Sequence, residues 1–173
     1  MEGRKSLFLP LRKNVCMIVV NQAGLIFLGK RAGTTSVWQL PQGGVEEGST
    51  EEESVYRELT EELGAKRECF SVERRLSAEH SYLFREIPKY AKGKFSGQKQ
   101  SFWLVAFLGT DNDINLSQSS GELEDFKWCT LKEIWQLAEP VRIVGYRKAL
   151  KEVLRLAEVS EIAERVNRAN KEQ

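Results

Sequence analysis

The chain has 173 residues and a nearly even charge balance, with 26 Lys and Arg against 25 Asp and Glu for a formal net charge of +1. This length suits one domain with a proper core and is too short for two ordinary domains. The charge balance excludes nucleic-acid binding driven by bulk charge, so any such contact must come from a local patch.

The cysteines and the histidine narrow the class of metal site. Cys16, Cys69 and Cys129 are widely spaced and form no Cys-x-x-Cys pair, which argues for a reducing compartment and against zinc. His80 is the single histidine, so a histidine-rich site is excluded. The longest apolar run, 15–20, is far shorter than the roughly 18 residues that suggest a membrane span, and the N-terminal residues do not resemble a signal peptide. We therefore expect a cytoplasmic protein without membrane contact.

The first part of the chain predicts a hairpin that leads into a glycine-containing loop. Residues 1–11 are expected to form a loose N-terminal arm. Strands are predicted over 14–20 and 24–29, since β-branched and aromatic residues flank a stretch of turn residues. A short strand over 38–40 then enters the glycine loop, 41–48.

An acidic helix follows the loop and carries clear signals at both ends. Thr50 can accept from first-turn amides while Glu53 reaches back, and Gly64 supplies the left-handed residue that ends a helix. On a helical wheel of about 100° per residue, three glutamates share one stripe that lies about 120° from an apolar stripe. The glutamates are Glu58, Glu61 and Glu62, and the apolar residues are Val55, Leu59 and Leu63.

Carboxylates crowded at this spacing repel one another, so a cation is expected to offset them. Mg²⁺ prefers carboxylate oxygens together with water and substrate phosphates, and Arg57 is a second cationic candidate. An acid-rich helix is also typical of a plain solvated surface. The stripe alone therefore leaves both interpretations open.

The remaining sequence predicts strands followed by helices, an order that favours helices on both faces of a mixed sheet. The basic loop 88–98 carries lysines with Tyr90 and Phe95, residue types suited to phosphate and base contacts. The predicted strands are 70–76, 81–87, 98–108 and 122–129, and the predicted helices are 131–138 and 140–169, with a break near 159–160. The inward stripe of the last helical tract is expected to be Val141, Val144, Leu150, Val153 and Leu154.

The glycine loop and the acidic helix together resemble the signature of the Nudix hydrolases, G-x5-E-x7-R-E-U-x-E-E-x-G-U, where U is bulky and aliphatic. Ala65 is a small version of the last position, and Ser49 stands where the signature has glutamate. This departure leaves open a degenerate site kept for binding only. Seven of the nine positions match, namely Gly43, Arg57, Glu58, Leu59, Glu61, Glu62 and Gly64.

The resemblance implies an α/β fold, an α/β/α sandwich with a mixed β-sheet, and hydrolysis of phosphoanhydride bonds with Mg²⁺, or alternatively Mn²⁺. It implies that Glu58, Glu61 and Glu62 are metal ligands, that Arg57 orients Glu58, and that the Gly43 carbonyl adds a ligand.

A further acid is implied by similarity to the branch of bacterial RNA 5′-pyrophosphohydrolases and dinucleoside polyphosphate hydrolases. In that branch an acid precedes a tryptophan by six residues, which selects Glu122 before Trp128 over Glu124 as a metal ligand or water-activating base. Tyr146 would stack on a base or, alternatively, pack in a helix interface. The implied substrate contacts are Arg12, Arg31, Gln42, Gln98, Gln100, Tyr146 and Arg147.

Three functions follow from these observations. The first expectation is an RNA 5′-pyrophosphohydrolase that releases pyrophosphate from 5′-triphosphorylated RNA and so initiates mRNA decay. The alternative is a diadenosine polyphosphate hydrolase of the Ap4A type, which would share every catalytic residue. A non-catalytic nucleotide- or RNA-binding module is the third, motivated by Ser49 and Ala65. We expect the Nudix domain over 12–157 and a C-terminal helical extension over 158–173.

Overall fold

The computed structural model describes residues 9–171, so most of the arm predicted over 1–11 lies outside the described residues. The first strand begins at Leu11, the last residue of that arm. The elements are β1 (Leu11–Val20), β2 (Ile26–Arg31), β3 (Trp38–Gln39), β4 (Gln42–Gly44), α1 (Glu51–Leu63), β5 (Phe70–Leu83), β6 (Gly97–Phe107), β7 (Leu123–Cys129), α2 (Leu131–Leu137), α3 (Pro140–Arg155) and α4 (Glu161–Lys171).

The strands form one mixed sheet with the path β3-β2-β1-β6-β5, to which β4 adds on β1 and β7 adds on β2. β1 and β6 run parallel along the whole of β1, and the other pairs are antiparallel. The predicted β1–β2 hairpin is confirmed. Its turn is closed by the Asn21 side chain, which accepts from the backbone N–H groups of Ala23 and Leu25 at 3.0 Å.

Alternation of side chains along β1 divides the core into two layers, because successive strand residues point to opposite faces. The odd-numbered residues Val15, Met17 and Val19 pack with the apolar stripe of α1. The even-numbered residues Cys16, Ile18 and Val20 pack with α2, α3 and α4 on the other face. The predicted α/β/α sandwich with a mixed sheet is therefore confirmed.

β5 is one long strand, so the prediction of two separate strands between residues 70 and 87 was wrong. Its pairing with β6 shifts at two places. At the second, between Arg75 and Glu79, the backbone N–H groups of Ser77 and Ala78 donate to the Glu152 carboxylate at 2.7 and 2.8 Å. Glu152 lies on α3, far along the chain, and local sequence patterns do not report such a partner. The predicted glycine loop also differs, since it contains the short strand β4.

The last helical tract breaks as predicted, between α3 and α4, but its inward stripe was only partly right. Leu150 and Val153 are buried, whereas Val141 and Val144 are 53% and 57% exposed. The two valines are exposed because Gly145 packs closely on the ring of His80. A Cβ atom at position 145 would overlap the imidazole. This contact turns the face that includes Gly145 toward the sheet.

Helix α4 packs on the same core as the preceding helices. Ile162, Ala163 and Val166 are buried, and the turn glycine Gly24 lies directly against the backbone carbonyl of Arg165. The region predicted as a C-terminal extension thus adds apolar burial to the sheet face that carries α3. None of the helices described is long and apolar enough to cross a bilayer.

Candidate active site

Helix α1 begins and ends at the predicted residues. The Thr50 hydroxyl accepts from the Glu53 N–H at 3.1 Å, and the Glu53 carboxylate accepts from the Thr50 N–H at 2.7 Å. Gly64 ends the helix with φ of 61° and donates to the Thr60 carbonyl. Because the apolar stripe packs on the sheet, the glutamate side of the helix lies along the outer edge of β4.

Glu62 is buried at that edge. Its side chain Oε2 accepts from the backbone N–H of Gln42 at 3.1 Å. The other oxygen, Oε1, is buried without a hydrogen-bond partner, and the residue is only 1% exposed. Burial, followed by the neighbouring Glu122 and Glu58, raises the pKa of Glu62 well above its usual range.

Glu58 lies against Gly43, at a place where a Cβ atom would overlap its carboxyl group. Only glycine therefore fits at this position of the motif. Arg57 donates to Glu58 Oε1 and to the Gly44 carbonyl, both at 2.8 Å, which fixes the carboxylate relative to β4. Burial raises the pKa of Glu58 to about 7, although the adjacent Arg57 guanidinium acts in the opposite direction.

Glu61 lies on the exposed side of the same helix, with its carboxylate 3.6 Å from the Arg57 guanidinium. Arg57 is also 3.6 Å from Glu46 of the preceding loop. Ser49, which replaces the glutamate of the signature, closes a turn through its N–H to the Glu46 carbonyl at 3.1 Å. In this chain, Glu46 is therefore the loop carboxylate nearest to Arg57.

Glu122 is brought to the helix by the loop between β6 and β7. The N–H groups of Asn115 and Ser120 donate to the carbonyls of Leu63 and Glu61 at 2.9 and 2.7 Å, so the loop satisfies acceptors that the end of a helix leaves free. Glu122 then lies close enough to Glu62 to contribute, after burial, to the raised pKa of that carboxyl.

The alternative acid, Glu124, points elsewhere. Its carboxylate forms an ion pair with Lys30 at 2.6 Å and accepts from the Gly33 N–H at 3.3 Å. The structure thus places Glu122, and not Glu124, beside the helix carboxylates. We call Glu58, Glu61, Glu62 and Glu122 the carboxylate cluster.

The donor atoms of the carboxylate cluster fit a hard divalent cation. Within residues 9–171, no three acidic, cysteine or histidine side chains converge tightly enough to form a ready-made metal cage, because Glu58 is turned to Arg57 and Glu61 to solvent. However, Glu62 keeps one buried oxygen unpaired, and burial together with its carboxylate neighbours raises its pKa. A buried acceptor among like charges is the environment that a bound cation stabilises.

A polar face adjoins the cluster on the side of the sheet that carries α3, and consists of Asn14, Gln42, Gln98 and Gln100. The Gln100 amide donates to Gln42 Oε1 at 2.7 Å and to Asn14 Oδ1 at 3.0 Å. Gln42 thus contacts both the carboxylate cluster and the polar face, since its backbone N–H donates to Glu62 and its side chain accepts from Gln100. The predicted residues Gln42 and Gln100 are brought together in this way, and Gln98 lies two residues before Gln100 on the same face of β6.

Arg12 and a row of aromatic rings extend the polar face. The Arg12 guanidinium lies against Gly44 and 4.5 Å from the centre of the Tyr90 ring. Tyr90 accepts from Gln98 at 3.0 Å. The rings of Tyr82, Phe84 and Tyr90 follow one another at 6.2 and 6.3 Å, and Tyr90 is 49% exposed. We call these three residues the aromatic row.

Two of the predicted substrate contacts, Tyr146 and Arg147, have side chains that are engaged within the protein. Tyr146 is 1% exposed, so stacking of a base on its ring was the wrong choice, and its alternative of packing in the helix interface is correct. The Arg147 guanidinium lies 5.0 Å from the centre of the Trp135 ring, which holds its charge against α2.

Arg31 is exposed at the end of β2, one residue before the Ala32 N–H that donates to the Glu122 carbonyl at 2.9 Å.

Arg142 belongs to the site but was not predicted. Its Nη1 donates to Gln42 Oε1 at 3.1 Å, and its Nε donates to Glu139 at 2.9 Å. The available signal was an arginine in the first turn of a helix that begins at Pro140, where a positive charge is unfavourable unless an anion is near. Glu139 supplies that anion three residues earlier, but the contact of Arg142 with the distant Gln42 is not visible in the sequence.

These contacts define a class of enzyme site in which a carboxylate-rich helix faces a polar, partly cationic groove. A family model described as NUDIX domain matches residues 10–152. The chain belongs to the Nudix family and is a Nudix hydrolase.

Sequence relatives agree with this assignment, and a solved structure shares the fold. The chain is 35% identical over 151 residues to the RNA pyrophosphohydrolase of Rickettsia bellii, covering 87% of this chain and 94% of that protein. It is 36% identical to the RNA pyrophosphohydrolase of Rickettsia prowazekii with the same coverage. The fold resembles a C. elegans Ap4A hydrolase binary complex at a TM-score of 0.58 and 21% identity, covering 80% of this chain and 94% of that chain.

The stability of the metal-free protein should fall as pH rises through the range in which Glu58 ionises. The folded-state pKa of about 7 lies above the ordinary value of 4.5, so the unfolded chain releases this proton first and stability is lost between these two values.

Added Mg²⁺ should raise the melting temperature more at about pH 8 than at about pH 5, since ligands bind metal when deprotonated. Thermal unfolding with EDTA and with Mg²⁺ measures both effects. An equal Mg²⁺ effect at the two pH values would contradict the assignment, and Glu62→Gln should reduce the effect at high pH.

Proposed function

We propose that this Nudix hydrolase removes pyrophosphate from the 5′ end of triphosphorylated RNA with Mg²⁺ as its cation. The net reaction consumes one water, breaks the P–O–P linkage between the α and β phosphates, and leaves a 5′-monophosphate. The relatives named RNA pyrophosphohydrolase support this substrate, since they match the chain over 87% of its length.

The main support for the proposal is one observation: hydrogen bonds connect the carboxylate cluster to the polar face, where Arg142 supplies a positive charge. Gln42 joins Glu62 to Gln100 and Arg142 within direct hydrogen-bond distance. A phosphate chain laid along this path would meet acidic groups at one end and arginines at the other. That arrangement suits a substrate whose phosphates continue into a nucleotide.

Each residue of the site has a role in this proposal. Glu58, Glu61, Glu62 and Glu122 would hold Mg²⁺, with the Gly43 carbonyl as an additional ligand. When bound, this cation would neutralise phosphate oxygens and lower the pKa of a coordinated water. Arg57 holds Glu58 in place, Glu122 is the candidate to accept a proton from the attacking water, and Arg12, Arg31 and Arg142 would neutralise phosphate charge.

The aromatic row would receive the first base of the RNA. Stacking on aromatic rings tolerates every base and contributes roughly 1–3 kcal/mol per base. Tyr90 is accessible and lies next to Arg12, so it can serve a base while the arginine serves a phosphate. Lys89 and Lys92 are exposed on the same segment and would add attraction for the RNA backbone.

The proposed role is in mRNA decay within the cytoplasm. The thiols of Cys16, Cys69 and Cys129 are all free, which is the state expected in a reducing compartment.

Replacing Glu61 or Glu62 by glutamine should nearly abolish release of pyrophosphate from triphosphorylated RNA. Loss of a cation's charge stabilisation, worth several kcal/mol, corresponds to a rate decrease of roughly 100-fold or more. Glu52→Gln is the matched control, because this exposed glutamate lies on α1 outside the cluster and its loss should leave the rate unchanged.

The same preparations should be assayed with diadenosine tetraphosphate. Cleavage of that compound without any cleavage of triphosphorylated RNA would replace the proposed substrate by the dinucleoside polyphosphate. Full activity of both cluster variants would remove the cluster from the mechanism, and wild-type binding of RNA without turnover would support the non-catalytic binding module.

Tyr90→Ala should raise the KM for triphosphorylated RNA and leave kcat nearly unchanged. Loss of one stacked base corresponds to roughly a 5-fold to 150-fold increase in KM. Tyr90→Phe keeps the ring and is the control, with a KM close to that of the wild type. Steady-state kinetics on a short RNA measure the difference, and a normal KM for the alanine variant would exclude Tyr90 from base contact.

A further inference from the structure

The hydroxyl group of Tyr146 makes a buried contact between α3 and the strand segment at the active site. It accepts a hydrogen bond from the Leu40 backbone N–H at 3.0 Å. Tyr146 is 1% exposed and Leu40 is 0% exposed, so water cannot replace the phenol oxygen. Loss of this acceptor would leave a buried N–H group unpaired, which proteins strongly avoid.

Leu40 is separated from Gln42 by a single residue, Pro41, which has no N–H group and a restricted φ angle. The Pro41 carbonyl accepts from the Met17 N–H at 2.8 Å. On the far side of the proline, the Gln42 N–H donates to Glu62 at 3.1 Å. The two N–H groups that flank this stiff residue are therefore held by Tyr146 and Glu62, so a displacement of Leu40 would be expected to displace Gln42.

We propose that Tyr146 is a positioning residue for Glu62. Its hydroxyl fixes the segment from Leu40 to Gln42, so that the Gln42 N–H orients the Glu62 carboxylate toward the cluster. This role rests on the proposed function, because orientation of Glu62 matters if that carboxylate holds a divalent cation. Residues that orient metal ligands without touching the metal commonly change metal affinity or activity by about 10–100-fold.

Tyr146→Phe is the direct test, and the chain offers a matched control. The Tyr56 hydroxyl accepts from the Val72 N–H at 3.2 Å, so Tyr56→Phe removes the same kind of bond between α1 and β5, without a contact to the segment from Leu40 to Gln42. We expect Tyr146→Phe to weaken Mn²⁺ binding and to lower kcat on triphosphorylated RNA, each by roughly 10-fold to 100-fold, with little change in KM. Tyr56→Phe should behave like the wild type in both respects.

Mn²⁺ binding is measured by calorimetry, and circular dichroism checks that both variants are folded. Mn²⁺ affinity and kcat of Tyr146→Phe equal to those of Tyr56→Phe would overturn the positioning role. If wild-type protein hydrolyses no phosphoanhydride, the proposed function fails, whereas the comparison of Mn²⁺ affinities still decides the role of Tyr146.

A second measurement avoids substitution at the buried site. Amide hydrogen exchange in the wild type should slow at both Leu40 and Gln42 when Mg²⁺ is added, because the two N–H groups move as one segment. Slower exchange at Gln42 alone would show that Leu40 and Tyr146 are not coupled to the cluster, and would overturn the proposal.

Discussion

The hydrogen bond from the Gln42 backbone to Glu62 is the contact on which the candidate site depends. It attaches the carboxylate side of α1 to the edge of β4 and leaves one oxygen of Glu62 buried without a partner. Burial of ionisable groups beside like charges is unfavourable, so this arrangement costs stability in the metal-free protein. The rest of the fold must therefore hold the helix and the strand together.

Three separate parts of the chain supply that support. The apolar stripe of α1 packs on the sheet, the loop before β7 binds the carbonyls at the end of α1, and α3 reaches the opposite side through Tyr146 and Arg142. Each contact limits movement of the Gln42–Glu62 pair, and the two contacts from α3 are buried or partly buried. A site that is unfavourable by itself is thus stabilised by the surrounding domain, as is common for functional sites.

Much of the helix could be predicted because its signals are local. The cap at Thr50, the stop at Gly64 and the separation of acidic and apolar stripes depend on residues within a few turns of one another. The placement of Glu122 depended on family resemblance, since the loop that carries it is fixed by hydrogen bonds to α1. The single strand β5, the inward turn of Tyr146 and the contact of Arg142 with Gln42 depend on distant residues, which no local pattern reports.

Crystals of the protein soaked with Mn²⁺ offer the most direct measurement of the central claim, that the carboxylate cluster holds a divalent cation. Anomalous scattering locates the metal without assumptions about the ligands. The account predicts a peak within coordination distance of Glu62 and of at least one other member of the cluster, with Glu58 released from its present hydrogen bond or sharing it. A well-ordered helix α1 with no peak at the cluster would contradict the account.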